Sequence, residues 1–332
     1  MAPSFAPRRH GLCMVLLALL ALPVAALACD GAGVRLVVPF LPGGVSGTVA
    51  EALALRLPDR LGTPIAVDYL PGQGGARGTA EFAATAGPCD VLVGTVSSQI
   101  LVPALNDSIR YDPVEGFAPI ALVGAAPLVL GVGLAVPART VHELIVHGRK
   151  HGLRYGSSGV GSVSHVAATM FARLTNVRME HVVFDGSAAN AAALAAGTID
   201  VAFDNTLVPH VAAGRVKALA VTSRTRLDAL PGVPTLAEAG VPGYDATTWV
   251  GLYGAKRMTP AIAVKLDAAV VQVLRDVDVR RRLAEQGVQI RHLGPPAFAA
   301  FTVAEVRRWK REIQLALAQP APPSAPSPAP RL

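Results

Sequence analysis

The chain alternates short runs of apolar, often β-branched residues with longer stretches whose apolar positions recur every three to four residues. That alternation restricts it to α/β architecture, with parallel strands joined by helices. Residues 34–40 read as a strand running into Pro42-Gly43-Gly44, and 48–61 as a helix with Val49, Leu53, Leu57 and Leu61 on one face. A strand at 65–69, the turn Pro71-Gly72-Gln73-Gly74-Gly75, a helix at 76–85 and a strand at 90–94 follow. Two strand-like stretches lie within 118–136. Thr140 is positioned to cap a helix to Lys150, with Glu143 three residues on completing a capping box. Further strands are expected at 153–156, 180–183, 201–204 and 218–222, and helices at 164–174, 188–196, 260–286 and 297–317.

No period of solenoid length recurs. The pattern reads as two α/β units, the second inserted into the first. Residues 29–130 and 254–318 form one unit and 131–253 the other, with hinge crossings near 127–134 and 250–256. Hydrophobic residues make up 52% of the 332 and charged residues 16%, enough apolar material to fill two cores.

The ends read differently. Arg8 and Arg9 precede an apolar run from Cys13 to Leu22, too short to span a bilayer and followed by Pro23. Ala26-Leu27-Ala28 then offers a small-x-small cleavage pattern, so 1–28 is expected to be an export signal removed after Ala28. Two alternatives stay open: a retained anchor, and lipidation of Cys29, since Ala26-Leu27-Ala28-Cys29 distantly resembles a lipobox. Residues 319–332 are rich in Pro, Ala and Ser, have no periodic apolar face, and read as a disordered tail. After cleavage Cys29 and Cys89 remain, each just ahead of a strand. If those strands are parallel neighbours, a disulfide between them is expected in an oxidising compartment.

The net charge of +7 includes the two signal arginines, and the other basic residues are scattered. Without a basic stripe or a reading helix, nucleic acid is not an expected partner. The apolar stretch 127–136 contains glycines and is too short to cross a membrane.

Two strand-to-helix junctions carry chemistry. The first is Pro39-Phe40-Leu41-Pro42-Gly43-Gly44-Val45-Ser46-Gly47-Thr48; the second is Tyr155-Gly156-Ser157-Ser158-Gly159-Val160-Gly161-Ser162-Val163-Ser164-His165. Glycines let the backbone approach a ligand, and the helices that follow present free N–H groups and a positive dipole end, a setting for an anion. Thr95-Val96-Ser97-Ser98 after the third strand offers a further wall. Neither junction fits a dinucleotide fingerprint or a phosphate-binding lysine loop. No Gly-x-Ser-x-Gly elbow is present, and no His, Cys and Asp cluster has metal-ligand spacing. Catalysis, metal and cofactor are therefore not expected.

The residues also resemble a known family. Arg35-Leu36-Val37-Val38-Pro39-Phe40-x-Pro42-Gly43-Gly44, Pro71-Gly72-x-Gly74-Gly75, Tyr111-Asp112-Pro113-x-x-Gly116-Phe117-Ala118-Pro119 and Tyr155-Gly156-Ser157-Ser158-Gly159-x-Gly161-Ser162-x-x-His165 are similar to stretches of the Bug, or TctC-like, receptors of tripartite tricarboxylate transporters. Phe203-Asp204-Asn205, Leu219-Ala220-Val221-Thr222-Ser223 and Leu230-Pro231-x-Val233-Pro234-Thr235 continue the resemblance in the same order.

The resemblance implies a type II-like periplasmic-binding-protein fold, with a ligand cleft between two domains and a hinge of crossing strands. It implies capture of a small carboxylate by a monomer, followed by delivery to membrane transporter subunits; a sensor role without transport is the alternative, and an enzyme on a related fold the third. Carried over by residue, Gly43, Gly44, Val45, Ser46, Ser98, Ser157, Ser158, Gly159, Ser162 and His165 would hold the first carboxylate. Gly186, Ser187, Asp204 and Asn205 would shape the far end. Alternatives stay open for three side chains: His165 as a buttress of its own loop, Asp204 as an internal acceptor, and Trp249 as either a cover for the ligand or packing at the hinge. This chain departs from the family pattern at Gly47, Glu51, Tyr69-Leu70, Gly87-Pro88-Cys89 and Asp185, where an acid, an arginine, Asn-Arg, Asp-Gly-Tyr and a lysine are usual.

Overall fold

Each early strand runs into a glycine-bearing turn and then a helix, and the outcome is two separate sheets. The structure, a computed structural model, describes residues 33–317. The expected export signal at 1–28 with its cleavage after Ala28, Cys29, and the tail expected over 319–332 lie outside the described residues. Cys89 is disulfide-bonded, and the expected pairing with Cys29 also falls outside them.

In chain order the first stretch supplies β1 (Val34–Val38), α1 (Val45–Ala54), α2 (Leu57–Leu61), β2 (Ile65–Tyr69), α3 (Ala76–Thr85), β3 (Asp90–Thr95), α4 (Val102–Leu105) and β4 (Phe117–Pro127). The middle supplies β5 (Val129–Val132), α5 (Val141–His151), β6 (Leu153–Ser157), α6 (Val163–Thr175), β7 (Met179–Val183), α7 (Ser187–Ala195), β8 (Val201–Asp204), α8 (Leu207–Ala212) and β9 (Lys217–Val221). The chain then returns through β10 (Thr247–Ala255), α9 (Pro260–Val273), α10 (Val277–Glu285), β11 (Gln289–Leu293) and α11 (Pro295–Leu317).

The first sheet has the order β11-β4-β10-β3-β1-β2 and the second β7-β6-β8-β5-β9. Each contains three parallel strands flanked by an antiparallel crossing strand: β10 beside β3 in one, β5 beside β8 in the other. The carboxyl ends of β1, β2, β6 and β7 run into the loops that line the space between the units.

The sheets are joined at two crossings. One passes from β4 to β5 through Leu128; the other leaves β9 at Val221 and re-enters the first sheet at Thr247. Opposite register carries across this seam, with Thr247 facing Pro127 in the first sheet and Val129 facing Val221 in the second. Thr222 sits between them. Its N–H donates to the Leu128 carbonyl (2.9 Å), its hydroxyl accepts from the Leu128 N–H (2.8 Å) and donates to the Ala246 carbonyl (2.7 Å), and its carbonyl accepts from the Ala246 N–H (3.1 Å).

Three sequence readings shift. Residues 247–253, expected in the second unit, belong to β10, which pairs with β3 and β4 in the first sheet. They form an interior strand of that sheet. The helix expected over 260–286 breaks after Val273, where the Asp276 carboxylate accepts from the Asp278 and Val279 N–H groups and starts α10 anew. The helix expected over 48–61 begins earlier, at Val45, and restarts at Leu57 ahead of Pro58.

The first sheet is buried on both faces. Val34, Leu36 and Val38 pack in one cluster with α1, α9 and α10 residues, while Val37 joins Phe82, Phe298 and Trp309 on the other side. Burying each such side chain stabilises the fold by roughly 1.5–3 kcal/mol. α11 is pinned to this face by a buried carboxylate: Glu305 accepts from the indole N–H groups of Trp249 (3.0 Å) and Trp309 (3.2 Å). Trp249 therefore packs against α11 rather than over a ligand.

Candidate ligand-binding cleft

A cleft of about 730 Å³ separates the two units. One wall comes from the first unit: Phe40 and Leu41 after β1, the 71–75 turn after β2, and Val102, Leu105 and Asn106 around α4. The other comes from the second: 158–161 after β6 and 183–186 after β7. Of the residues singled out from sequence, Ser158, Gly159 and Gly186 line this volume.

The walls touch at their edges. A side chain at Gly43 would meet the Ala188 methyl at 3.5 Å, and one at Gly186 would meet Leu41 at 3.7 Å. The start of α1 and the start of α7 therefore face each other. A side chain at Gly74 would lie 3.3 Å from the Val160 carbonyl, so the 71–75 turn also reaches the opposite unit. Ser97, in a π-helical turn after β3, accepts a hydrogen bond from the Val163 N–H of α6 across the units (3.0 Å).

Which helix starts are free for an anion follows from their caps. α1 is preceded by Gly44 and α7 by Gly186, and neither has a side-chain cap or an acidic residue in its first turn. Their leading N–H groups carry the positive dipole end and donate to no side-chain cap. α6 is different. Ser162 accepts from the His165 N–H and donates to the Gly159 carbonyl (2.6 Å), and Ser97 holds the Val163 N–H.

Most hydroxyls expected at the site serve its scaffold. Ser157 bonds His181 Nε2 (2.6 Å), and Ser98 accepts from the Thr95 N–H (3.1 Å) deep in the first unit. The Ser158 N–H donates to Ser164 Oγ (3.0 Å), while the Ser158 hydroxyl, also paired with Ser164, borders the cleft. His165 accepts the Gly161 N–H at Nδ1 (3.1 Å) and stacks on His181 at 4.4 Å, with Tyr155 parallel beneath. Burial first, and then the neighbouring His181, push the His165 value down to about 4, so the ring is neutral near pH 7. It buttresses its loop.

At the far end, Asp204 is buried and accepts from Asn190 Nδ2 (3.0 Å) and from the N–H and hydroxyl of Thr206. Burial raises its value above the ordinary carboxylate range. Asn205 is buried beside it, and its Nδ2 has no partner among the described residues. Ser187 gives its carbonyl to the Thr206 hydroxyl (3.4 Å), and Val45 and Ser46 are buried in the first turn of α1.

Three departures noted in the sequence meet in one place. The Tyr69 hydroxyl donates to Glu51 (2.8 Å), Arg282 pairs with the same carboxylate (2.7 Å), and a side chain at Gly47 would lie 3.4 Å from the Tyr69 ring. Glu51 is thus occupied by a tyrosine and an arginine outside the cleft. Asp185 does line it.

Contributors missed from sequence are Val102, Leu105, Asn106, Val183 and Phe184. The 71–75 turn was visible as glycine-rich; its backbone supplies the missing signal, with φ of 135° at Gly72, 63° at Gly74 and 94° at Gly75.

Two α/β sheets joined by paired crossing segments around a lined cleft define a two-domain periplasmic binding protein. The chain belongs to a particular family of these: residues 49–317 match the family described as the tripartite tricarboxylate transporter family receptor, TctC. It is 29% identical over 296 residues to protein BugT of Bordetella pertussis, across 87% of this chain and 91% of that one. Among solved structures it resembles MatC of Rhodopseudomonas palustris with bound malate, at 30% identity and a TM-score of 0.80, over 85% of this chain and 98% of that one. It also resembles an R. palustris protein with adipate, at 29% identity and a TM-score of 0.81, over 86% of this chain and 97% of that one. Among the described residues no helix is long and apolar enough to cross a membrane.

Proposed function

We propose that the protein is an extracytoplasmic receptor that captures a small carboxylate by closing its two units and delivers it to a tripartite tricarboxylate-type membrane transporter. The observation that carries this reading is the cleft lined by Gly186, the glycine cap of α7, with the glycine-capped start of α1 facing α7 across the units, where free N–H groups suit a carboxylate. The relatives solved with malate and adipate support the same ligand chemistry.

Closure is supported by the construction of the seam. Two crossings meet at Thr222, and a few φ/ψ changes there rotate one unit against the other without disturbing either core. The division that fits this seam puts 129–221 in the moving unit and the rest of the described chain in the other.

Binding without turnover fits the side chains. Ser157 and His181 are hydrogen-bonded, yet Ser157 is fully buried and does not border the cleft. No carboxylate among the described residues orients His181, and Ser162 is spent as a helix cap.

A thermal-shift series tests the reading: malate, adipate, benzoate and several amino acids, each against its amide or ester. A binder of the folded state raises Tm by mass action. Stabilisation by acids and not by their neutral counterparts is expected; stabilisation by neither overturns the ligand class.

A further inference from the structure

The residues lining the cleft have an uneven charge. Phe40, Leu41, Val102, Leu105, Val183 and Phe184 are apolar, and much of the remaining lining is glycine. Asp185 is the one ionisable side chain among them. It is exposed and makes no hydrogen bond or ion pair with any described residue, unlike Asp204 and Glu51, whose carboxylates are fully engaged. Arg77 packs its aliphatic stem on Gly72 and does not itself line the cleft.

The position of Asp185 divides the two helix starts. It immediately precedes Gly186, the N-cap of α7, so its charge opposes the positive end of that helix. α1 has no such counterweight: its first turn carries no acid, and Glu51 is held away by Tyr69 and Arg282. An anion is therefore favoured at α1. The ground near Asp185 favours a cation or a strong hydrogen-bond donor, and a ligand with a second carboxylate there would meet a like charge with no cation in the lining to offset it.

Building on the carboxylate-receptor reading above, we propose that the ligand is an amino-carboxylate, with its carboxylate at the start of α1 and its protonated nitrogen at Asp185. The apolar lining around Phe40 and Phe184 receives the carbon skeleton between or beside them. Asp185 is then the residue that sets specificity against dicarboxylates. A charge-assisted hydrogen bond from an ammonium to a carboxylate is among the stronger polar contacts, moderated here by the exposure of Asp185.

Isothermal titration at pH 7 tests this with length-matched probes: hexanoate, adipate and 6-aminohexanoate, and propionate, malonate and alanine, followed by the remaining common amino acids. Wild type is expected to bind its best amino acid at least about tenfold more tightly than any dicarboxylate that lacks an amino group. Asp185→Asn should weaken that amino acid by about tenfold while leaving hexanoate and propionate unchanged, and Asp185→Lys should invert the preference towards dicarboxylates. Asp185 is exposed, so neither substitution threatens folding, and circular dichroism checks that they do not. A wild type that prefers dicarboxylates, or an Asp185→Asn variant with unchanged amino-acid affinity, overturns the inference while leaving the receptor reading intact. Failure of every acid in the series to bind removes both.

Discussion

Thr222 is the point at which the seam between the units can be attacked with one atom. Replacing it with valine keeps the shape and removes the hydroxyl. The Leu128 N–H then loses the acceptor it holds at 2.8 Å, and the Ala246 carbonyl loses a donor at 2.7 Å. Thr222 is wholly buried, so water does not step in. Leaving a buried backbone group unsatisfied costs about 1–3 kcal/mol, so two such groups place the loss at roughly 2–6 kcal/mol. For a chain of this size that corresponds to a fall in Tm on the order of 5–10 °C. Thr222→Ser keeps the hydroxyl and gives up a methyl, and should cost about 1 kcal/mol or less. Denaturant unfolding and calorimetry of wild type and both variants supply the comparison. Thr222→Val as stable as wild type, or Thr222→Ser falling as far as Thr222→Val, would refute the assignment of the seam to this hydroxyl.

Three further outcomes are expected. The folded value of His165, about 4, lies below the ordinary 6.5, so the unfolded chain binds the additional proton in that window. Stability therefore falls as pH drops from about 6.5 towards 4, by about 2 kcal/mol between pH 7 and pH 5, and His165→Asn should remove that part of the slope; an identical slope in the variant argues against it. Gly156→Ala would drive a methyl to 2.1 Å from Asn190 Oδ1 and 2.4 Å from Ile199 Cδ1, costing about 2–3 kcal/mol in urea unfolding, and a change under about 0.5 kcal/mol contradicts the packing. Ser97→Ala removes the acceptor that holds the Val163 N–H across the units, so titration of the stabilising acid should show affinity about five- to tenfold lower; unchanged affinity means that the contact is not part of the bound state.

Local periodicity carried most of the fold. β2 at 65–69, α3 at 76–85 and β8 at 201–204 appear at the bounds read from sequence, and Thr140 caps α5 through the Glu143 N–H as its spacing implied. Elements defined by distant partners were harder. β11 is a short strand with three exposed residues at the sheet edge, and its apolar signal is correspondingly faint. β10 is buried along nearly its whole length, so it lacks the period-two alternation of a strand with one exposed face, and Gly251 and Gly254 interrupt its apolar run.

The site divides in the same way. The glycine loops were legible because close approach of backbone is encoded locally. What their hydroxyls do was not, since Ser98, Ser157, Ser162 and His165 are engaged by Thr95, His181, Gly159 and Gly161 through geometry that a sequence does not display. The Tyr69–Glu51 pair shows the converse. Separate oddities in the sequence become one arrangement once β2 lies beside α1, with Gly47 small enough to admit the ring and burial, then the Glu51 bond, pushing the Tyr69 value up to about 12.

The central claim is that a carboxylate is held between the units at the start of α1. A crystal structure with the acid that most raises Tm tests it directly. Carboxylate oxygens within hydrogen-bonding distance of N–H groups at the start of α1, with the ligand body in the cleft lined by Phe40 and Phe184, are expected. A ligand bound outside that cleft, or one whose carboxylate faces solvent with the α1 donors left empty, would contradict it.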